Sequence, residues 1–141
     1  MSADPAAALQ RAVFAALSDS PAGLRVFDRI PQPNPNEAEA AYRRRVQMPY
    51  VTIGDDDIID DSNACFAASE AFVTVHVWSG AVGKMEAKAI GGAVRDALSV
   101  ELAIDGFICT EAEFRDARYF TDPDGVTTHG VLSFRYLIDP T

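Results

Sequence analysis

A chain of 141 residues fits one domain, and it is long enough to bury a core without disulfide bonds. Hydrophobic residues make up 48% and charged residues 23%, an ordinary globular composition, while the net charge of −9 argues against binding DNA through its phosphates. The sequence predicts neither a signal peptide nor a membrane helix, and its two cysteines, Cys65 and Cys109, are expected to stay reduced.

The N-terminal segment predicts a first helix followed by an edge strand. Asp4-Pro5 is a favourable start, because Asp can cap free N–H groups and Pro fits the first helical turn. The helix is expected to end near Ser18–Gly23, and Leu24–Phe27 is expected to be a short edge strand or an extended segment. One face of the helix is apolar at helical spacing: Ala6, Leu9, Val13 and Leu17.

Residues 31–47 form a long excursion between predicted elements. Three alternate prolines exclude a central strand, and residues 37–45 have helical character. The excursion carries a basic run, Arg43, Arg44 and Arg45, in an otherwise acidic chain. Two interpretations stay open, a solvated charge run and a contact with an acidic neighbour.

A strand predicted at Met48–Gly54 is followed by an acidic segment that is expected to be a loop. It carries five carboxylates, Asp55, Asp56, Asp57, Asp60 and Asp61. A solvated loop is favoured over a divalent-cation site, because the spacing of a calcium loop is absent. The remaining alternatives are that the segment faces DNA or pairs with a basic patch of a neighbouring subunit.

The middle of the chain predicts a central strand and a second helix. Ala71–Ser79 has apolar groups on both faces, as expected of an interior strand. Gly83–Val100 follows helical spacing, and Gly91-Gly92 within it predicts a bend or the close approach of another backbone.

The C-terminal third predicts a long β-hairpin, with arms Phe107–Phe120 and Val126–Ile138 around the turn Asp122–Gly125. The arms exceed the usual strand length of about 5–6 residues, so the hairpin is expected to extend beyond the body toward a neighbouring subunit. Its polar tip and the residues after it form a predicted contact: Asp122, Asp124, Gly125, His129 and Gly130.

Together these elements predict one α+β domain, residues 1–141, with two main helices packed on a mostly antiparallel sheet. The sequence offers little support for catalysis. Gly80–Lys84 lacks the full phosphate-loop pattern, and His76 and His129 fit structural or exposed positions better than a metal pair. We therefore predict no catalytic residues, no bound metal and no cofactor.

The chain resembles the tail terminator, or tail completion, proteins of long-tailed phages and gene transfer agents, nearly end to end. The resemblance depends on the order and spacing of framework segments, since no single one is decisive. They are Leu9–Leu17, Val26–Pro31, Pro49–Asp55, Val75–Ser79, Glu86–Ile90, Val94–Leu98, Phe120–Gly125 and His129–Arg135.

The resemblance implies an α+β fold and a hexameric ring at the head-proximal end of the tail tube. Such a ring stops tube polymerisation, contacts the tube and neck proteins, and lets double-stranded DNA pass without sequence-specific binding. It belongs to a phage or gene transfer agent particle assembled in the bacterial cytoplasm, with no membrane partner. The alternatives are another neck or tail protein, such as a stopper, connector or tube subunit, and a small-molecule-binding α+β domain.

Overall fold

The structure, a computed structural model, describes residues 4–141, so the first three residues of the predicted domain lie outside it. Within that range the chain forms three helices and five strands, which confirms the predicted α+β class. The helices are α1 (Ala6–Ser18), α2 (Glu39–Arg45) and α3 (Met85–Leu98). The strands are β1 (Val26–Phe27), β2 (Tyr50–Asp60), β3 (Ser69–Ser79), β4 (Phe107–Thr121) and β5 (Thr128–Pro140).

The strands lie in one sheet of order β1-β2-β3-β5-β4, in which the short β1–β2 pair is parallel and the other pairs are antiparallel. β1 is an edge strand and β3 an interior strand, as predicted. The prediction that the hairpin extends beyond the body is wrong. β5 pairs with the eleven-residue β3 from Thr128 opposite Ser79 to Ile138 opposite Ser69, so the length of β3 accounts for the length of β5.

One face of the sheet is covered by helices. α3 packs on β3, β4 and β5, and α1 packs on α3 and β1. Alternate side chains along each strand point into this layer, as the period of two requires. The core they form contains Leu9, Val13, Leu17, Val73, Val75, Val77, Val94, Leu98, Leu132, Phe134, Tyr136 and Ile138.

The intervening side chains of β3 and β5 point to the other side of the sheet, which we call the outer face. They are only partly buried by residues 4–141. The outer face consists of Phe72, Thr74, His76, Trp78, His129, Val131, Ser133, Arg135 and Leu137.

Two contacts fix α3 on the sheet. The hydroxyl of Tyr136 donates a hydrogen bond of 2.6 Å to the carbonyl oxygen of Leu98 at the end of the helix. An ideal Cβ on Gly91 would lie 1.8 Å from the Tyr119 Oη, so the absence of a side chain lets β4 approach. The predicted close approach therefore involves a side chain and not another backbone. Within residues 4–141 nothing lies within 4 Å of the corresponding position on Gly92.

Candidate interaction surfaces

A cluster of aromatic and imidazole rings lies on the outer face, next to the hairpin turn. The His129 ring stacks on Trp78 with 3.8 Å between ring centroids, and the centroid of Phe120 lies 4.8 Å from that of His129. The Trp78 indole N–H donates to the Thr52 hydroxyl at 3.1 Å. His76 Nδ1 lies 2.7 Å from His129 Nε2. Both histidines thus occupy packed, hydrogen-bonded positions that fit a structural role.

The environment of these rings favours the neutral imidazoles. Burial lowers the pKa of His76, and the charge of His129 lowers it further, while Asp55 raises it. Burial lowers the pKa of His129, an effect that Asp122 partly offsets. Asp122 Oδ1 lies 3.4 Å from His129 Nδ1, which favours a proton on that nitrogen. His129 Nε2 then accepts the hydrogen bond that His76 Nδ1–H donates.

A cleft of about 580 Å³ lies beside this cluster. Two of its polar groups are already engaged inside the chain, because the Thr52 hydroxyl accepts from Trp78 and His76 bonds His129. Among the described residues, no three His, Cys, Asp or Glu side chains cluster closely enough to hold a metal ion. No helix within residues 4–141 is long and apolar enough to cross a membrane.

The predicted excursion contains α2 and stands apart from the core. None of the α2 side chains is buried by the described part of the chain. Arg45 bonds Glu37 at 2.8 Å and lowers the pKa of that carboxyl, and the Tyr42 hydroxyl donates to the carbonyl of Pro31 at 2.7 Å. These contacts fold the excursion onto itself. The three arginines of the basic run therefore differ in role, and Arg45 holds the excursion together.

The other two arginines are exposed. Arg43 pairs with Glu39 at 2.6 Å, but both side chains are about three-quarters exposed, at 76% and 75%, so the pair contributes little stability. Arg44 has no hydrogen-bond or ion-pair partner among residues 4–141. Arg43 and Arg44 are thus the part of the basic run available to a partner.

The acidic segment is not the predicted loop, because β2 continues through it to Asp60. Aspartate has low strand propensity, but pairing with β3 outweighs it, with Asp57 opposite Phe72 and Asp60 opposite Ser69. β1 covers β2 only at Val51 and Thr52. From Ile53 to Asp60 the other side of β2 has no strand partner within residues 4–141. The five carboxylates, all exposed, therefore line an open sheet edge and the residue after it: Asp55, Asp56, Asp57, Asp60 and Asp61.

The hairpin tip is held by contacts within the chain. The Asp124 carboxylate accepts from the backbone N–H groups of Val126 and Thr127 at 2.9 and 2.8 Å, and from the Thr127 hydroxyl at 2.5 Å. Gly125 adopts the predicted positive φ, at 77°. Two residues at the end of the turn, Thr127 and Thr128, are buried within the chain.

Gly130 was predicted to allow the approach of another subunit, and the structure gives it a different neighbour. It is buried, and an ideal Cβ there would lie 2.9 Å from the Tyr119 ring and 3.4 Å from Val77 Cβ. The Tyr119 side chain therefore lies against both Gly91 and Gly130. Among the predicted tip residues, Asp122 and His129 join the ring cluster, Asp124 and Gly125 shape the turn, and Gly130 packs inside the chain.

Sequence reasoning missed a charged network on the outer face. Arg135 bonds Glu70 and lies 3.5 Å from carboxylate oxygens of both Glu111 and Glu113. The sequence alone gave no signal for it, because the register that sets Glu113 opposite Arg135 depends on an irregularity between Phe114 and Asp116. Glu70 comes from β3 on the other side of β5, so the network ties three strands together.

Comparisons with known proteins place the chain in a family. It matches the sequence model of the tail completion protein gp17 family over residues 11–139. It is 33% identical over 92 residues to the tail completion protein gp17 of Bacillus phage SPP1, covering 64% of this chain and 68% of that protein. The solved structure of the bacteriophage SPP1 gp17 protein superposes with a TM-score of 0.56 at 26% identity, over 92% of this chain and 88% of that one. A chain in the virion of a native gene transfer agent particle superposes with a TM-score of 0.81 at 25% identity, over 98% of this chain and 99% of that one.

The fold is thus that of a structural tail protein. The chain belongs to the tail completion protein gp17 family. The predicted resemblance to tail completion proteins of phages and gene transfer agents is confirmed, and so is the predicted location in such a particle. The family is a class of structural tail proteins and not a class of enzymes.

Proposed function

We propose that this protein forms a hexameric ring at the head-proximal end of the tail tube, where it ends tube polymerisation and joins the tail to the neck. The observation that carries the proposal is the combined match to the family over residues 11–139 and to a gene transfer agent virion chain over 98% of this chain. The proposed partners are further copies of the chain, the tube protein and a neck protein. Double-stranded DNA passes through the opening.

The open edges of the sheet support ring formation. The sheet has two different open edges, one along β4 and one along the acidic half of β2. A contact between two different surfaces of the same chain repeats around a ring until it closes. Closure also protects sheet edges that would otherwise recruit further strands.

One end of the molecule fits a contact with the tube. The Thr128 hydroxyl donates to the carbonyl of Gly83 at 3.2 Å, which brings the hairpin turn beside the loop before α3. Three large apolar side chains near this contact are exposed: Val82, Met85 and Val126. We assign the tube contact to this end, which includes the predicted tip residues Asp122, Asp124 and Gly125.

The charge of the chain supports passage of DNA without retention. The net charge is −9, and a ring of such chains repels phosphates on balance. The protein therefore needs no sequence-specific DNA contact. A stopper, connector or tube subunit could share this charge and size, and the order of assembly separates these roles.

The proposal is tested in cells that produce the particle. Removing the gene should yield tails of uncontrolled length that fail to join heads, and restoring it should return normal tails. Image reconstruction of restored particles should show six copies in a ring between tube and neck. Normal tail length without the gene, or a single copy per particle, would overturn the proposal. Tails of normal length that only fail to attach would instead assign the protein to the neck as a stopper or connector.

A further inference from the structure

The helix α2 is preorganised, yet none of its residues is fully buried by the described part of the chain. The segment is folded by the Glu37–Arg45 ion pair and by the bond from Tyr42 to Pro31. At its base, Arg25 donates to the carbonyl of Gln47 at 2.9 Å. Ordering a surface segment costs conformational entropy, and a preorganised segment binds a partner at a lower entropic cost. This arrangement is typical of a docking element.

The exposed arginines of α2 are positively charged, whereas the chain as a whole has a net charge of −9. Arg43 is held only by an exposed pair, and Arg44 has no partner among residues 4–141. The complementary surface is the acidic edge, which we define as the open side of β2 from Asp55 to Asp60 together with Asp61. The exposed carboxylates of Asp56, Asp57 and Asp61 have no hydrogen-bond or ion-pair partner in the described part of the chain.

We infer that α2 of one copy docks on the acidic edge of the next copy around the ring, with Arg43 and Arg44 facing its carboxylates. The two surfaces are different, so the contact is head-to-tail, as a closed ring requires. Aspartates on an open edge also discourage the addition of strands from other chains, so the same edge can accept a helix and reject misassembly. This inference rests on the proposed ring.

Cross-linking between two separately tagged chains tests the contact. Both chains carry Cys65→Ser, since Cys65 is the exposed native thiol and Cys109 is buried. One chain carries Arg44→Cys and the other Asp57→Cys, and the two are produced together in particle-forming cells. Oxidation should give a disulfide-linked dimer that contains both tags, and neither chain alone should give one. Arg44→Cys with Lys88→Cys, an exposed position on α3, is the matched control and should give no dimer.

Charge reversal provides the second arm. Arg43→Glu with Arg44→Glu should lower the number of head-joined tails by about tenfold or more, because like charges then meet at the contact. Adding Asp56→Arg and Asp57→Arg to the same chain should restore much of the loss. Arg11→Glu with Lys88→Glu makes the same change of charge at exposed positions of α1 and α3 and should have little effect.

The outcomes separate this inference from the proposed function. Tails that contain a ring of both tagged chains but no mixed dimer would overturn the docking contact and leave the ring intact. Normal assembly after reversal of the two arginines would do the same. A further outcome is that the aspartate reversal does not restore the assembly lost on arginine reversal. If the mixed dimer is absent as well, α2 contacts the tube or neck protein and not the next copy of the chain. Particles without a ring would overturn both.

Discussion

His76 and His129 lie 53 positions apart in sequence, yet Nδ1 of the first is 2.7 Å from Nε2 of the second. Adjacent strands bring them together, with His76 opposite Val131 and His129 opposite Trp78. A bond between two imidazoles needs one nitrogen to donate and the other to accept. One added proton still leaves one donor and one acceptor between the rings, but two added protons leave two donors facing each other.

The histidine pair predicts a loss of stability in mild acid. Both pKa values lie below the ordinary value of 6.5, so the unfolded chain binds more protons than the native chain as pH falls through this range. The contribution of the neutral pair is fully present above about pH 6.5 and is lost as pH falls through the native pKa values. Urea unfolding at pH 8, 7, 6 and 5.5 should therefore show a falling free energy of unfolding.

The double variant His76→Gln with His129→Gln is the control for this effect. Its stability at pH 8 is expected to be lower, but its decline between pH 7 and 5.5 should be shallower than that of the parent chain. The same decline in both proteins would show that other groups cause it. Because the rings are assigned a structural role, the variant should affect folding or assembly and no enzymatic turnover.

The sequence predicted the helices, the central strand and the hairpin, because each depends on local periodicity or turn chemistry. It failed where pairing with a distant strand decides the outcome. The low strand propensity of aspartate predicted a loop at Asp55–Asp60, but backbone pairing with β3 makes this segment a strand. Gly130 was predicted to lie at a subunit contact, because the sequence does not show that Tyr119 of the same chain lies against it. The difference between Arg45, which pairs within the excursion, and the exposed Arg44 likewise depends on Glu37, eight residues before Arg45.

The two adjacent glycines of α3 should respond in opposite ways to alanine. Gly91→Ala places a methyl group against Tyr119 Oη and should lower the free energy of unfolding by about 1–3 kcal/mol. Gly92→Ala meets no described atom within 4 Å and should raise it by about 1 kcal/mol, since alanine favours the helix. Urea denaturation of the two variants measures both changes. In a Tyr119→Phe background the cost of Gly91→Ala should shrink, and an unchanged cost would mean that the hydroxyl is not its cause.

The hairpin turn depends on Asp124. Asp124→Ala removes the acceptor of three hydrogen bonds, two of them from the buried Thr127, so the free energy of unfolding should fall. Asp124→Asn keeps one acceptor oxygen and should cost less. Asp61→Ala removes the same charge from an exposed side chain that accepts no hydrogen bond within residues 4–141, and it should leave the unfolding midpoint nearly unchanged. Equal losses for Asp124→Ala and Asp61→Ala would mean that net charge, and not the turn, explains the effect.

The last prediction concerns the anchor between β5 and the end of α3. Burial raises the pKa of Tyr136, so its phenol stays protonated and donates to the Leu98 carbonyl, which has no partner inside the helix. Tyr136→Phe keeps the ring but leaves that carbonyl unsatisfied, so the free energy of unfolding should fall by about 1–3 kcal/mol. Amide exchange should also become faster in the last turn of α3. Tyr50→Phe is the matched control, because the Tyr50 hydroxyl bonds no group in the described part of the chain. If both variants lost the same stability, or if exchange in α3 stayed unchanged, the hydrogen bond would not be what holds the helix end to the sheet.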